Sequence, residues 1–246
     1  MFIFSCLIVV VFGLYIGSFL TAISLRFCNN QKLLSKNSHC DSCGAKITFY
    51  NLIPVCGYTT SKGRCSNCGQ KISIKYTIWE LIYASTFLIN FLLFKNDHQS
   101  LVIFTLLTST MFVASVIDFE TMFVYNIHIV IFGILFSAFL YVNNMLEITT
   151  MSFIMATLPL IFKFGYEFIR KKLTGNQIIV LGMGDVLIFQ ILFFLLDFSK
   201  VAIIMFLSGL FGVLYGLLRK CGKNLHYPFV PSIFLAVYII FIWKFL

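Results

Sequence analysis

Apolar residues fall in eight long blocks along the 246-residue chain, at 2–24, 77–94, 101–117, 124–142, 148–165, 178–196, 200–218 and 229–246. Each block approaches the roughly 17–25 residues that carry a helix across the hydrocarbon core of a bilayer. A spanning segment must satisfy its backbone internally, so the pattern predicts an all-α polytopic membrane protein with about eight transmembrane helices. The third and fourth blocks are the least cleanly separated. Residues 25–76 break the pattern for long enough to form a small unit of their own. The expected division is a first transmembrane helix at 1–24, a loop module at 25–76 and a helical membrane domain at 77–246. The first block has no basic segment ahead of it and is followed by Arg26, which predicts a retained span rather than a cleaved signal peptide.

Hydrophobic residues make up 60% of the chain and charged residues 11%, against about 25% charged in soluble domains. Net charge is +9, and its placement matters more than its size. Arg26, Lys32, Lys36, Lys46, Lys62, Arg64, Lys71 and Lys75 follow the first block. Lys163, Arg170, Lys171 and Lys172 follow or close the fifth, and Arg219, Lys220 and Lys223 follow the seventh. The alternate loops keep Lys95 and Lys200. By the positive-inside rule the basic loops face the cytoplasm and both termini face outward. Basic and aromatic residues do not interleave as on a nucleic-acid surface, so the expected partner of this charge is the lipid bilayer, with no nucleic acid.

The loop module contains Cys40-Asp41-Ser42-Cys43-Gly44 and Cys65-Ser66-Asn67-Cys68-Gly69. Two C-x-x-C pairs at this separation have the spacing of a zinc ribbon, with Cys40, Cys43, Cys65 and Cys68 as four thiolate ligands of a structural zinc ion. Such a site closes the coordination sphere and leaves no catalytic position. About 50 residues bury little core, so a metal would contribute folding free energy. Two disulfides and a metal-free loop are the competing readings, and a reducing cytoplasm argues against the first. His39 is an alternative ligand beside Cys40, and Cys56 is a fifth thiol without a C-x-x-C partner.

Two carboxylates stand at the ends of apolar blocks, where burial costs several kcal/mol and marks function. Asp118 closes the third block, and Asp185, in Gly182-Met183-Gly184-Asp185, heads the apolar run Val186 to Leu196 within the sixth. With the topology above, both reach the same side at similar depth. A pair of carboxylates can share one proton and activate water, one as general base and the other as general acid. Gly182 and Gly184 leave room for a substrate backbone beside Asp185 and loosen the local helix. The bland readings are a small-residue helix contact with a capping Asp185, and a helix-end Asp118 marking the interface. Glu80, about one turn into the second block, either positions substrate or pairs with a loop Lys or Arg. Glu120 reads as a solvated loop residue, and Glu167 with Arg170 as a surface pair.

Taken together these residues resemble the prepilin peptidase family, the type IV leader peptidases. The resemblance runs from Gly17-Ser18-Phe19-Leu20 and Arg26 through Ser38-His39 and the two cysteine pairs. It continues with Ile47, Tyr50, Leu52-Ile53-Pro54, Gly63-Arg64, Ile72-Ser73, Tyr76 and Glu80. Asp118 and Gly182-Met183-Gly184-Asp185 fall where the family has its catalytic aspartates, and Tyr227-Pro228-Phe229-Val230-Pro231 is similar to its closing element. Thr21, Val124-Tyr125-Asn126 and Leu187 stand where many members have Asn, Ile-Pro-Asn and Lys, although Asn126 itself is kept. The resemblance implies an aspartic endopeptidase that removes the basic leader of prepilin or pseudopilin precursors at the cytoplasmic face, serving pili, competence or secretion. It also implies N-methylation of the new N-terminus with S-adenosylmethionine, for which the chain has no glycine-rich nucleotide loop after a strand. Three other classes stay in view. They are another G-x-G-D protease, a proton-coupled transporter relaying through Asp118 and Asp185, and a zinc-dependent scaffold without catalysis. Against the transporter, both aspartates lie near one face and no inverted repeat is evident.

Overall fold

The computed structural model describes residues 2–33, 38–40, 42–146, 148–174, 182–218 and 228–245. Lys36, Asp41, Arg219, Lys220, Cys221, Lys223, His226 and Tyr227, and residues 178–181 of the sixth block, lie outside the described residues.

Every one of the eight apolar blocks becomes a helix. They are α1 (Phe2–Cys28), α3 (Lys75–Phe94), α4 (His98–Thr121), α5 (Asn126–Val142), α6 (Thr150–Thr174), α7 (Met183–Leu195), α8 (Phe198–Leu218) and α9 (Val230–Phe245). A short α2 (Cys56–Thr60) and a 3-10 turn at Phe49–Leu52 lie in the loop module, and the described residues contain no strand beyond two isolated bridges. Five helices, α1, α3, α4, α6 and α8, are long and apolar enough to cross a membrane. The other three run 17, 13 and 16 residues, and each buries one face inside the protein. Phe136, Leu140, Leu192, Ile233 and Ala236 on them have no exposed surface.

The chain forms two compact units, residues 1–101 and 102–246. In the first, α1 packs along α3 through a stripe of small buried residues, Gly13, Gly17, Thr21 and Ser24. A Cβ placed on Gly17 would stand 2.9 Å from the Cβ of Tyr83, so the backbones approach as far as glycine permits. In the second, aromatic rings join α4, α5 and α9. Phe104 lies 4.8 Å from Phe139, Phe132 5.3 Å from Phe234, and Phe136 5.4 Å from Phe241, centroid to centroid. Helix α6 packs on α7 but turns Phe153, Ile154, Ile161, Phe162 and Phe168 outward. So much exposed apolar surface is stable only in hydrocarbon, which makes this a membrane protein.

Several hydroxyls inside the helices bond their own backbone, although the buried Thr21 Oγ1 does not. Ser115 Oγ donates to the Met111 carbonyl at 2.8 Å, and Ser208 Oγ to that of Met205 at 3.0 Å. The α1–α3 contact gives a direct test. Gly17→Leu is expected to lower thermal stability in detergent by about 1–3 kcal/mol through overpacking, whereas Gly209→Leu, where a Cβ meets nothing within 4 Å, leaves it unchanged.

Candidate functional site

Each C-x-x-C-Gly segment folds into the same tight hairpin. In one, Gly44 N–H donates to the Cys40 carbonyl and Cys40 N–H to that of Ala45, both at 2.9 Å. In the other, Gly69 N–H donates to Cys65 and Cys65 N–H to Gln70, again at 2.9 Å. The glycines take φ of +67° and +72°, the left-handed region that glycine enters without strain. Bridges His39 to Lys46 and Arg64 to Lys71 close the two hairpins.

The hairpins face one another. Their four Sγ atoms lie within 4.8 Å of one another, and Cys40 Sγ is 3.9 Å from Cys68 Sγ. These cysteines are free, and the spacing is far too long for a disulfide. A tetrahedral ion with bonds of about 2.3 Å sets its thiolates about 3.8 Å apart, so the cluster is shaped to hold a metal. The hydrogen bonds agree with that chemistry. The Ala45 N–H and the Asn67 side chain, whose Nδ2 is 3.7 Å away, lower the Cys43 thiol. The Cys68 and Asn67 N–H groups bring Cys65 down to about 6. Cys68 goes up to about 11, because the opposing Gln70 N–H is outweighed by the Cys43 thiol, lost hydration and the remaining thiols. Four thiolates cannot coexist at this spacing without a cation to balance them. Neither His39 nor Cys56 belongs to the cluster.

Asp118 and Asp185 both lie in the second unit. Asp118 is 5% exposed, three residues before the end of α4, and its Oδ2 accepts the Val230 N–H at 3.1 Å. The Phe229 N–H bonds the same carboxylate. Asp118 thus occupies the N-terminal end of α9, where unpaired N–H groups favour an anion. Asp185 is the third residue of α7, and its carboxylate accepts the N–H of the capping Gly182. The capping expectation for Asp185 therefore holds, and it does so alongside a second property. The charges of Asp118 and of Lys163, on α6, both reach Asp185. The structure so brings together the two carboxylates, the N-terminus of α9 and a lysine.

Gly184 fits against Val124 in the α4–α5 connection, where a Cβ would stand 3.0 Å from the Val124 Cβ. A Cβ on Gly182 would meet Asp185 Oδ2 at 3.1 Å. Asn126 begins α5 and is exposed, two residues past Val124. Leu187 lines an apolar groove of about 370 Å³ with Ile129, Gly133, Ala156 and Ile191. Glu80 belongs to the first unit, on α3, where its buried carboxylate accepts the Val55 N–H at 2.9 Å. Its loop partner is a backbone group, not a lysine or arginine. Glu167 ion-pairs at 3.8 Å with Lys163, one turn before it, and not with the Arg170 one turn after it that spacing nominated. Sequence reasoning missed Lys163, counted only as topology charge, and the Phe229 and Val230 N–H donors.

The model of the bacterial peptidase A24 N-terminal domain matches residues 11–94, and that of the type IV leader peptidase family matches residues 105–217. The chain is 28% identical to a prepilin leader peptidase/N-methyltransferase of Vibrio cholerae over 93% of both proteins. It is also 28% identical to one of Bacillus subtilis, over 92% of this chain and 89% of that protein. A type 4 prepilin-like proteins leader peptide-processing enzyme of Escherichia coli is 25% identical over 91% of this chain and 88% of its own length. No solved structure matches the chain.

The contact between Asp118 and α9 separates packing from chemistry. Asp118→Leu strands two buried N–H donors and is expected to lose about 1–3 kcal/mol of stability. Asp118→Asn keeps an acceptor oxygen and is expected to melt close to the wild type in the same detergent.

Proposed function

The chain belongs to the type IV leader peptidase family and is a peptidase, and from that premise we propose that it cleaves the basic leader of prepilin or pseudopilin precursors through Asp118 and Asp185. The observation that carries this reading is the electrostatic proximity of the two carboxylates at the head of α7 and the foot of α4. One carboxylate, ionised, takes a proton from a water as that water attacks the scissile carbonyl. The other, protonated, donates to the carbonyl oxygen. As the intermediate collapses, the first passes the water's proton to the departing amine and the second recovers its own from the hydroxyl it had formed. The Val230 and Phe229 N–H groups hold Asp118 in place through the cycle, Gly182 keeps a side chain off the Asp185 carboxylate for substrate backbone, and Gly184 lets α7 close on Val124 beside it. The groove beginning at Leu187 takes the apolar segment that follows the cleaved bond in such a precursor. Lys163 places its positive charge within reach of Asp185, whereas residue 187 is leucine and supplies none.

The division of labour we propose is a first span at 1–24, a metal module at 25–76 and a membrane domain at 77–246 carrying the aspartates. The distribution of Lys and Arg supports a site facing the cytoplasm. The cysteine cluster suits a structural zinc ion, whose four thiolate ligands leave it no open position for chemistry. The relatives' names include N-methyltransferase. Methylation with S-adenosylmethionine is kept as a second activity to which no residue is assigned, because the described residues offer no nucleotide-binding turn.

The test is leader cleavage of a prepilin in membranes by wild type, Asp118→Asn and Asp185→Asn, each shown to be inserted. Both variants are expected to lose about 10²-fold or more in rate; cleavage at wild-type rates by both would overturn the catalytic pair. Metal analysis tests the module separately. The purified wild type and both aspartate variants are expected to retain zinc, and Cys65→Ser with Cys68→Ser to lose it and become protease-sensitive between α1 and α3.

A further inference from the structure

The surface of the cysteine module bears a feature that neither the metal nor the aspartates use. Phe49 and Tyr50 are 76% and 79% exposed, with rings in a T-shaped pair 6.4 Å apart. Leu52 beside them and Ile74, at the cap of α3, are exposed as well. Aromatic and aliphatic side chains presented together in this way mark an interaction surface.

Its level along α3 is fixed by the Glu80 contact. Glu80 stands five residues into α3, about 8 Å along the helix axis, and accepts the Val55 N–H. Cys56 N–H donates to the Pro54 carbonyl at 2.6 Å, closing a three-residue turn in which Val55 takes φ 63° and ψ −50°. A β-branched residue holds that conformation only where its surroundings enforce it. Immediately before this turn, the Phe49–Leu52 segment packs on α2, and the Asn51 carbonyl closes on Gly57 too tightly to admit a Cβ. The aromatic pair is therefore tied to the first turns of a membrane helix. At that level α3 itself exposes Ile78, Leu81 and Ile82.

Charge selects the occupant. Lys46, Lys62, Arg64, Lys71 and Lys75 are all exposed on the same module, and Asp41 is the only acidic residue in the sequence from 25 to 76. A basic leader peptide would be repelled by this charge. Anionic headgroups would be attracted, and aromatic side chains partition to the headgroup boundary. We propose that the cysteine module docks on the bilayer surface, with Phe49, Tyr50 and Leu52 inserted at the headgroup boundary and the module's exposed lysines and Arg64 engaging anionic lipid. The proposal rests on the chain's being a membrane protein and is independent of the aspartyl chemistry.

The experiment uses the full chain in lipid nanodiscs, with Trp79→Phe and Trp243→Phe leaving Phe49→Trp as the sole tryptophan. A parallel chain carries Tyr50→Trp instead, and each is checked for retained zinc and monodispersity. The expected result, in either reporter that passes, is blue-shifted emission that is quenched by lipids brominated near the headgroup and shielded from acrylamide. Quenching is expected to be stronger in discs containing phosphatidylglycerol than in phosphatidylcholine alone. That difference should disappear with Lys46→Gln and Lys75→Gln. Water-like emission open to acrylamide and indifferent to brominated lipid would overturn the proposal. So would emission that shifts only when a prepilin leader peptide is added, which would make the surface a protein site.

Discussion

A carboxylate enclosed among apolar helices persists only where the protein supplies it with donors, and Asp118 obtains them from the opening turn of α9. That bond joins residues 112 positions apart. It sets the end of α4 against the start of α9, whose other residues stack their rings on α4 and α5. Asp185 is anchored by the same kind of chemistry, an acid at the third helical position accepting the N–H of its own cap. Both acids are thus held by backbone groups, which most substitutions leave in place. The arrangement resembles the way ordinary helix termini bind anions, moved to the edge of a membrane.

The first unit solves a different problem, holding a polar module beside two spans. The cysteine hairpins orient their thiols inward through backbone hydrogen bonds and glycines of positive φ. A bound dication of the kind proposed would contribute on the order of 10 kcal/mol, which a module of this size cannot gain from apolar burial. Glu80 then ties the module to α3 through the Val55 turn.

Much of this was legible in the residues and some was not. The eight apolar blocks gave eight helices because a helix satisfies the backbone of a long apolar run internally, although only five reach spanning length. Their ends were less legible. α4 starts at His98 rather than at residue 101 because Asp97 caps it, accepting the Ser100 N–H at 3.1 Å. α6 runs on to Thr174 because Lys163, Glu167 and Arg170 continue a helical face after the apolar run has ended. The C-x-x-C-Gly repeats announced the cysteine cluster, since spacing and turn chemistry are local. What stayed hidden were partners contributed by backbone: the N–H of Val55 for Glu80, and those of Phe229 and Val230 for Asp118. A peptide N–H is common to nearly every residue and leaves no mark in composition. Lys163 was visible, but its charge served equally well as a topology signal, and only the packing of α6 on α7 directs it to Asp185.

The intimate fit of α1 and α3 has a consequence for how the chain is made. These two helices are neighbours in the folded unit, yet the whole cysteine module is synthesised between them. At translation speeds of about 5–20 residues per second, α1 waits several seconds in the membrane before its partner exists. During that interval its notch of Gly13, Gly17, Thr21 and Ser24 faces lipid with nothing to fill it. The newborn first span is an open receptor for any helix with a complementary ridge, and the arrival of α3 ends that competition.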